Sequence, residues 1–202
     1  MNMNPYIGQQ AHDFTAQTVM PDNLIQGKFN FKKYLDGNKG VLFFYPLDFT
    51  FVCPSEIIAF NNRLGEFSTR KVKLVGVSVD SHFSHHAWKS MPVSKGGIGN
   101  IQFPLVSDLN KEISCAYNVL NEDSVSYRAT FLIDESFNIR HYSVNDLPLG
   151  RNVDETLRIV DALDHHNKFG EVCPAGWQKG DQGMKATQQG VSDYLTSNAE
   201  SL

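Results

Sequence analysis

The run Val41-Leu42-Phe43-Phe44-Tyr45 constrains this chain most, because its consecutive apolar side chains point alternately to both sides of an extended backbone. A strand of this kind must be covered on two faces, so it belongs inside a sheet packed between other elements. Pro46 ends the run. Beyond it Ile57, Phe60, Leu64 and Phe67 fall at i, i+3, i+7 and i+10 and predict one helix from near Cys53 to about Arg70. Val72 to Val79 (VKLVGVSV) predicts a second strand, and Asp80-Ser81 caps a helix from His82 to about Met91. After a Gly-containing loop over Pro92 to Asn100 come a short strand at Phe103 to Val106 and a short helix at Asn110 to Tyr117. Ala129 to Ile133 and Asn138 to Val144 form a hairpin across Glu135-Ser136, and an amphipathic helix from Asn152 to about Asn167 turns Val153, Leu157, Val160 and Leu163 inward. Strands alternating with helices define an α/β chain with a mixed central sheet flanked by helices.

A chain of 202 residues, 41% hydrophobic, supports one sizeable core, expected over residues 1–169. From Gly170 to Leu202 the glycines Gly170, Gly176, Gly180, Gly183 and Gly190 predict a mobile, extended C-terminal arm with a weak helix near Val191 to Asn198. With 18 Lys and Arg against 22 Asp and Glu, the net charge of −4 argues against nucleic acid and anionic membrane as partners. The start, Met1 to Phe14, lacks the basic end and apolar stretch of a secretory signal, so a reducing cytoplasmic setting is expected. Cys53, Cys115 and Cys173 are odd in number and widely spaced, which suits neither a disulfide scaffold nor a zinc site. His82, His85 and His86, like His165 and His166, lack partner ligands at motif spacing and are read as solvated helix faces, so no metal or other cofactor is expected. Cys115 is expected to be a buried spectator, Trp88 and Trp177 packing anchors, and Asp146 the ion-pair partner of Arg151.

The chemistry concentrates at Cys53. A strand, a tight loop and then a cysteine in the first turn of a helix place the sulfur at unpaired N–H groups and the positive end of the helix dipole, which favours a thiolate. Pro54 suits that first turn because its missing donor costs nothing there. The Thr50 hydroxyl, three residues back, is placed to donate to the sulfur or to orient a substrate oxygen. A Cys-x5-Arg phosphatase fails because position 59 is Ala59, and a Cys-x-x-Cys dithiol fails because position 56 is Glu56. A Cys–His hydrolase remains open on spacing alone.

Pro46-x-x-x-Thr50-x-x-Cys53-Pro54 resembles the active-site motif of the peroxiredoxins. The resemblance extends over nearly the whole chain: Gly76-Val77-Ser78-Val79-Asp80-Ser81, His86-Ala87-Trp88, Tyr127-Arg128, Asn145 to Arg151 and Glu171-Val172-Cys173-Pro174-Ala175-Gly176-Trp177 are similar to the typical two-cysteine subgroup in order and spacing. It implies a thioredoxin-like fold, with Cys53 the peroxidatic cysteine and Cys173 the resolving one. Thr50, Arg128 and Pro46 match the remaining active-site positions, and Glu56 and Arg151 are expected to support Arg128. The implied substrates are hydrogen peroxide and small organic hydroperoxides, with thioredoxin or a dedicated disulfide reductase as electron donor. The implied working unit is an antiparallel homodimer, commonly five dimers in a ring, with Cys173 supplied by the partner subunit. A holdase chaperone activity of large assemblies is the alternative reading.

Thiol acidity explains little of such a reaction. For cysteines in general, lowering a pKa from about 8.5 to about 6 gains at most ~30-fold in thiolate at pH 7. A Brønsted slope of about 0.4–0.5 returns ~10–18-fold of that gain. Most of the acceleration must come from aligning the peroxide and stabilising the departing oxygen, the part expected of Arg128, Thr50 and nearby backbone N–H groups. A sulfenic acid must then meet a second thiol before more peroxide oxidises it irreversibly. A residue in the first helical turn needs that turn to open before it reaches disulfide distance, so local unwinding around Cys53 is expected. Gly96-Gly97-Ile98-Gly99 and Tyr194-Leu195 resemble the elements that slow this opening in oxidation-sensitive members. Leu195 stands where the family has Phe, and intermediate sensitivity is expected.

Overall fold

The computed structural model describes residues 6–202, which form two compact units meeting at Val153 and Asp154. In the first unit, β1 (Thr15–Val19), β2 (Ile25–Asn30), α1 (Phe31–Leu35), β3 (Lys39–Phe44), α2 (Cys53–Asn62), α3 (Leu64–Thr69) and β4 (Val72–Ser78) are followed by α4 (His82–Ser90), β5 (Leu105–Ser107), α5 (Glu112–Ala116), β6 (Arg128–Ile133) and β7 (Ile139–Asn145). The seven strands make one mixed sheet in the order β2-β1-β5-β4-β3-β6-β7. β3, β4 and β5 run parallel, while the β1–β2, β1–β5, β3–β6 and β6–β7 pairs are antiparallel. This is the thioredoxin-like arrangement, with β3 central and every residue of it buried.

Two apolar layers cover β3. Leu42 and Phe44 join Phe31 and Leu35 of α1, Ile113 of α5, and Phe131 in one core. On the opposite face Phe43 stacks on Phe60 of α2, with ring centroids 4.3 Å apart, and meets Phe103 edge-on at 5.6 Å. Gly76 of β4 is required here: a Cβ would lie 2.9 Å from the Phe43 ring and 2.8 Å from Leu105. The two-sided burial read from VLFFY is what the sheet shows.

The structure departs from the expected pattern in several places. The helix expected from Cys53 to Arg70 is two helices, because Arg63 leaves helical geometry (φ −99°, ψ 5°) and ends α2 with its N–H on Ala59 and Phe60 carbonyls. The β1–β2 hairpin and α1, which precede the apolar run, carry no strand or helix signal in the sequence, since β2 exposes four of its residues and buries only Phe29. Cys115 is exposed, not buried, because α5 turns its neighbours Ile113 and Ser114 inward. His85 is fully buried rather than solvated, one helical turn from the buried Trp88 on the inward face of α4. Trp88 is a packing anchor as expected, its indole N–H donating to the Gly96 carbonyl.

The second unit holds most of α6 (Val153–Phe169) and α7 (Gln188–Asn198). α6 buries Val153, Leu157, Val160 and Leu163, the face expected from the sequence. The segment after it is bonded back onto α6. His165 meets the Glu171 carboxylate at 3.0 Å, His166 the Glu171 carbonyl at 2.8 Å, and Arg158 donates to the Trp177 carbonyl at 2.9 Å. Trp177 is buried beside His165. These histidines are tied to a neighbouring segment rather than forming a plain solvated face. Among the described residues, no group of three or more His, Cys, Asp or Glu could hold a metal, and no helix is long and apolar enough to cross a membrane.

Candidate active site

Residues 46–52 carry the chain from the end of β3 to α2. Tyr45 extends the ladder by donating its N–H to Val77, and the buried Pro46 stops it. Asp48 then fixes the loop. Its N–H donates to the Asp80 carboxylate, and its own carboxylate accepts from the Tyr45 hydroxyl (2.9 Å), the Ser84 hydroxyl (2.8 Å) and His85 Nδ1 (2.8 Å). The other ring nitrogen of His85 faces the Val106 carbonyl at 3.1 Å. Both ring nitrogens face oxygen acceptors, and each hydrogen bond is made when that nitrogen carries the proton. Burial, reinforced by the Asp48 charge, raises the Tyr45 phenol well above its ordinary value and keeps it a donor. Phe49 adopts a left-handed backbone (φ 56°), a conformation that costs a bulky residue energy.

The clamped loop delivers Thr50 and Cys53. Cys53 is the first residue of α2, with Pro54 behind it, and its sulfur is fully buried. The Thr50 hydroxyl lies 2.9 Å from Cys53 Sγ and 2.8 Å from the Leu47 carbonyl. A hydroxyl has one hydrogen, so it serves one of these acceptors at a time.

Arg128 enters from the first position of β6. Its Nε donates to the Leu147 carbonyl at 2.7 Å, while Nη1 sits 2.7 Å from Glu56 Oε2 and 3.3 Å from Cys53 Sγ. Glu56, one turn into α2, is filled on both oxygens. Oε1 accepts from the Arg151 backbone N–H (2.9 Å) and Nε (2.8 Å), and Oε2 accepts from Arg151 Nη2 (2.9 Å) as well as Arg128. Burial works to raise the Glu56 carboxyl, but the hydrogen bonds and charge of Arg151, with the charge of Arg128, outweigh it and hold Glu56 below its ordinary value. Arg151 Nη1 also donates to the Phe44 and Ala129 carbonyls, tying α2 to the central strands.

One carboxylate between two guanidiniums leaves the buried cluster with an excess positive charge, directed by Arg128 at the sulfur. The structure therefore brings together Thr50, Cys53, Glu56, Arg128 and Arg151, with Pro46 at the head of the loop. The expected Asp146–Arg151 pair does not form: Arg151 is taken by Glu56, and Asp146 Oδ1 accepts the N–H of Leu147. Among the described residues the sulfur's hydrogen-bond partners are Thr50 and Arg128, so no histidine serves it as the base a Cys–His hydrolase needs. The supports that sequence reasoning missed are Asp48 and His85. The available signal was the i, i+3 spacing of His85 and Trp88, which puts both on one face of α4. Cys173 lies in the second unit, half-buried, its S–H directed at the Ala162 carbonyl at 3.5 Å.

A cysteine at a helix start, facing a guanidinium that is itself braced by a buried carboxylate, defines a peroxide-cleaving thiol site. Residues 7–142 match the AhpC/TSA family and residues 162–197 match the C-terminal domain of 1-Cys peroxiredoxin, so the chain belongs to the AhpC/TSA family, the peroxiredoxins. It is 53% identical over 192 residues to alkyl hydroperoxide reductase C of Helicobacter pylori (strain ATCC 700392 / 26695), covering 95% of this chain and 97% of that protein. It is 50% identical over 198 residues to peroxiredoxin-1 of Gekko japonicus, covering 96% and 98%. Among solved structures, the reduced 2-Cys peroxiredoxin of Plasmodium vivax matches with a TM-score of 0.93 and 52% identity, over 96% of this chain and 100% of that one.

Proposed function

We propose that this chain is a thiol-dependent peroxidase that reduces hydrogen peroxide and small organic hydroperoxides with Cys53 as nucleophile. The observation that carries the reading is the pair of donors on one sulfur, Thr50 at 2.9 Å and Arg128 at 3.3 Å. The Cys53 thiolate attacks the terminal oxygen of the hydroperoxide. An S–O bond forms, the O–O bond breaks, and the remaining oxygen leaves as alkoxide or hydroxide and takes up a proton. Arg128 stabilises the negative charge as it passes from sulfur to oxygen, and Thr50 orients the peroxide. Pro46 keeps an N–H donor out of the loop, while Glu56 and Arg151 fix the guanidinium.

The sulfenic acid is resolved by Cys173 of a partner chain in an antiparallel homodimer, and five such dimers form a ring. The disulfide is reduced by thioredoxin or a dedicated disulfide reductase. The odd, widely spaced cysteines support a cytoplasmic site of action, and the Gly-rich segment 170–202 acts as the arm that brings Cys173 to its target. Cys53→Ser is expected to abolish turnover. Cys173→Ser is expected to permit one oxidation event without recycling, and normal turnover by that variant would remove Cys173 from the cycle. One equivalent of peroxide should convert the wild type to a covalent dimer on non-reducing electrophoresis.

A further inference from the structure

Cys173 needs the charge of a thiolate to attack a sulfenic acid, yet its surroundings mostly favour the thiol. Its S–H points at the Ala162 carbonyl, an acceptor that a thiolate would repel. Burial pushes the thiol above its ordinary value and Glu171 adds to that, while Arg158 works in the opposite direction. The other ionisable groups near this face of α6 are engaged: Lys179 lies 3.6 Å from Asp161, and His165 Nε2 lies 3.0 Å from the Glu171 carboxylate.

Arg158 is four residues before Ala162 on α6, so the two lie on one face a turn apart. The Ala162 carbonyl accepts from the Cys173 S–H, and Arg158 Nη1 donates to the carbonyl of Trp177, which closes the same turn. The other edge of the Arg158 guanidinium is held by Glu155, with Nε to Oε2 at 2.6 Å and Nη2 to Oε1 at 2.7 Å. This fork fixes where the cation stands, and Glu155 offsets part of its charge.

We propose that Arg158 is a positioning residue for the resolving half of the cycle, holding the Cys173 turn on α6 and supplying the cation beside its sulfur when that sulfur becomes the nucleophile. The proposal rests on the assignment of Cys173 as the resolving cysteine. In the step it serves, the Cys173 thiolate donates an electron pair to the Cys53 sulfur. The S–S bond forms, the S–O bond breaks, and the departing hydroxide leaves as water after protonation. Arg158 has no part in the earlier attack on peroxide.

The test begins with Cys173 as the only thiol, in the Cys53→Ser, Cys115→Ser background, by measuring its alkylation by iodoacetamide across pH. Arg158→Met is expected to slow alkylation at pH 7 by about threefold to tenfold and to move the profile to higher pH, whereas Arg158→Lys stays near the parent. Glu155→Gln is expected to act the other way and speed alkylation, a direction that mere loosening of the turn does not impose on one variant and reverse in the other. In the protein with all cysteines, Arg158→Met should form the disulfide more slowly by a similar factor after one equivalent of peroxide. Sulfenic acid formation should keep its rate, and the Cys53 sulfinic fraction by mass spectrometry should rise. An unchanged profile in Arg158→Met, or the same direction in both variants, overturns the role of Arg158. Slowed alkylation together with normal turnover by Cys173→Ser leaves the electrostatics standing and overturns the assignment of Cys173.

Discussion

Glu56→Gln isolates the charge that holds the active-site cluster together, since the amide keeps the shape of the side chain. The carboxylate accepts four hydrogen bonds, one from Arg128 and three from Arg151, in a site where its side chain is 2% and each arginine side chain 4% exposed. The glutamine oxygen can keep two of them, but its NH2 group turns donors toward donors on the other side. Two lost charge-assisted bonds at about 1.5–3 kcal/mol each agree with the roughly 3–5 kcal/mol cost of removing one partner from a buried pair. That is a large share of a typical domain stability of about 5–15 kcal/mol. The pH dependence supplies a second check. Glu56 is held below its ordinary value of 4.5, so its contribution is fully present above that value and is lost as pH falls through the lower folded-state value. Urea unfolding of the reduced proteins, at one fixed concentration because association adds to apparent stability, should show the full gap at pH 7 and a shrinking gap below about pH 4. A gap under about 1 kcal/mol at pH 7, the range of a surface ion pair, or one that does not close in acid, refutes the reasoning.

Other perturbations separate chemistry from packing. Arg128→Lys cannot span Leu147, Glu56 and the Cys53 sulfur at once, and peroxide kcat/KM should fall by roughly 10²–10³ in stopped flow; a loss below about tenfold contradicts the role of the guanidinium. Phe43→Ala removes the ring stacked on Phe60 and should cost about 3–5 kcal/mol in urea unfolding, since the surrounding β3 is buried throughout. Cys115→Ser, at an exposed position, should leave turnover intact and stability within about ±0.5 kcal/mol of wild type.

What the sequence reveals is set by how strongly a position's environment marks its residue type. β3 is legible because burial on both faces demands an unbroken apolar run, and Cys53 because a strand, a proline loop and a helix start leave a short menu of chemistries. β2 is hidden because four of its residues face water and it carries no apolar alternation. The break at Arg63 is hidden for a different reason: Phe60 and Phe67 stay buried on either side of it, so their spacing imitates one continuous helix. Arg151 finds Glu56 across 95 residues of chain and not the nearby Asp146, a choice made by the packing of α2 on the sheet that no local pattern encodes. His85 is only half legible: its i, i+3 spacing to Trp88 marks the buried face of α4, but its tie to Asp48, 37 residues away, follows from no local pattern.

The same contacts that prepare Cys53 also make its turn easy to open. α2 has no side-chain cap at Val52, and Pro54 brings no N–H to the first turn. What holds the turn closed converges on the Val52 carbonyl, which accepts from the Ser55 N–H at 3.1 Å, the Glu56 N–H at 3.4 Å and the Ser55 hydroxyl at 2.6 Å. At about 0.5–1.5 kcal/mol net for each bond, unwinding gives up only a few kcal/mol of hydrogen bonding. In the reduced state the hold of Thr50 and Arg128 on the sulfur adds to this. Oxidation is expected to shift this balance, because it adds an oxygen to a sulfur with no exposed surface. Glu56, anchored by both arginines, is expected to stay in place when the turn before it unwinds, which would leave the site assembled to receive the thiolate again.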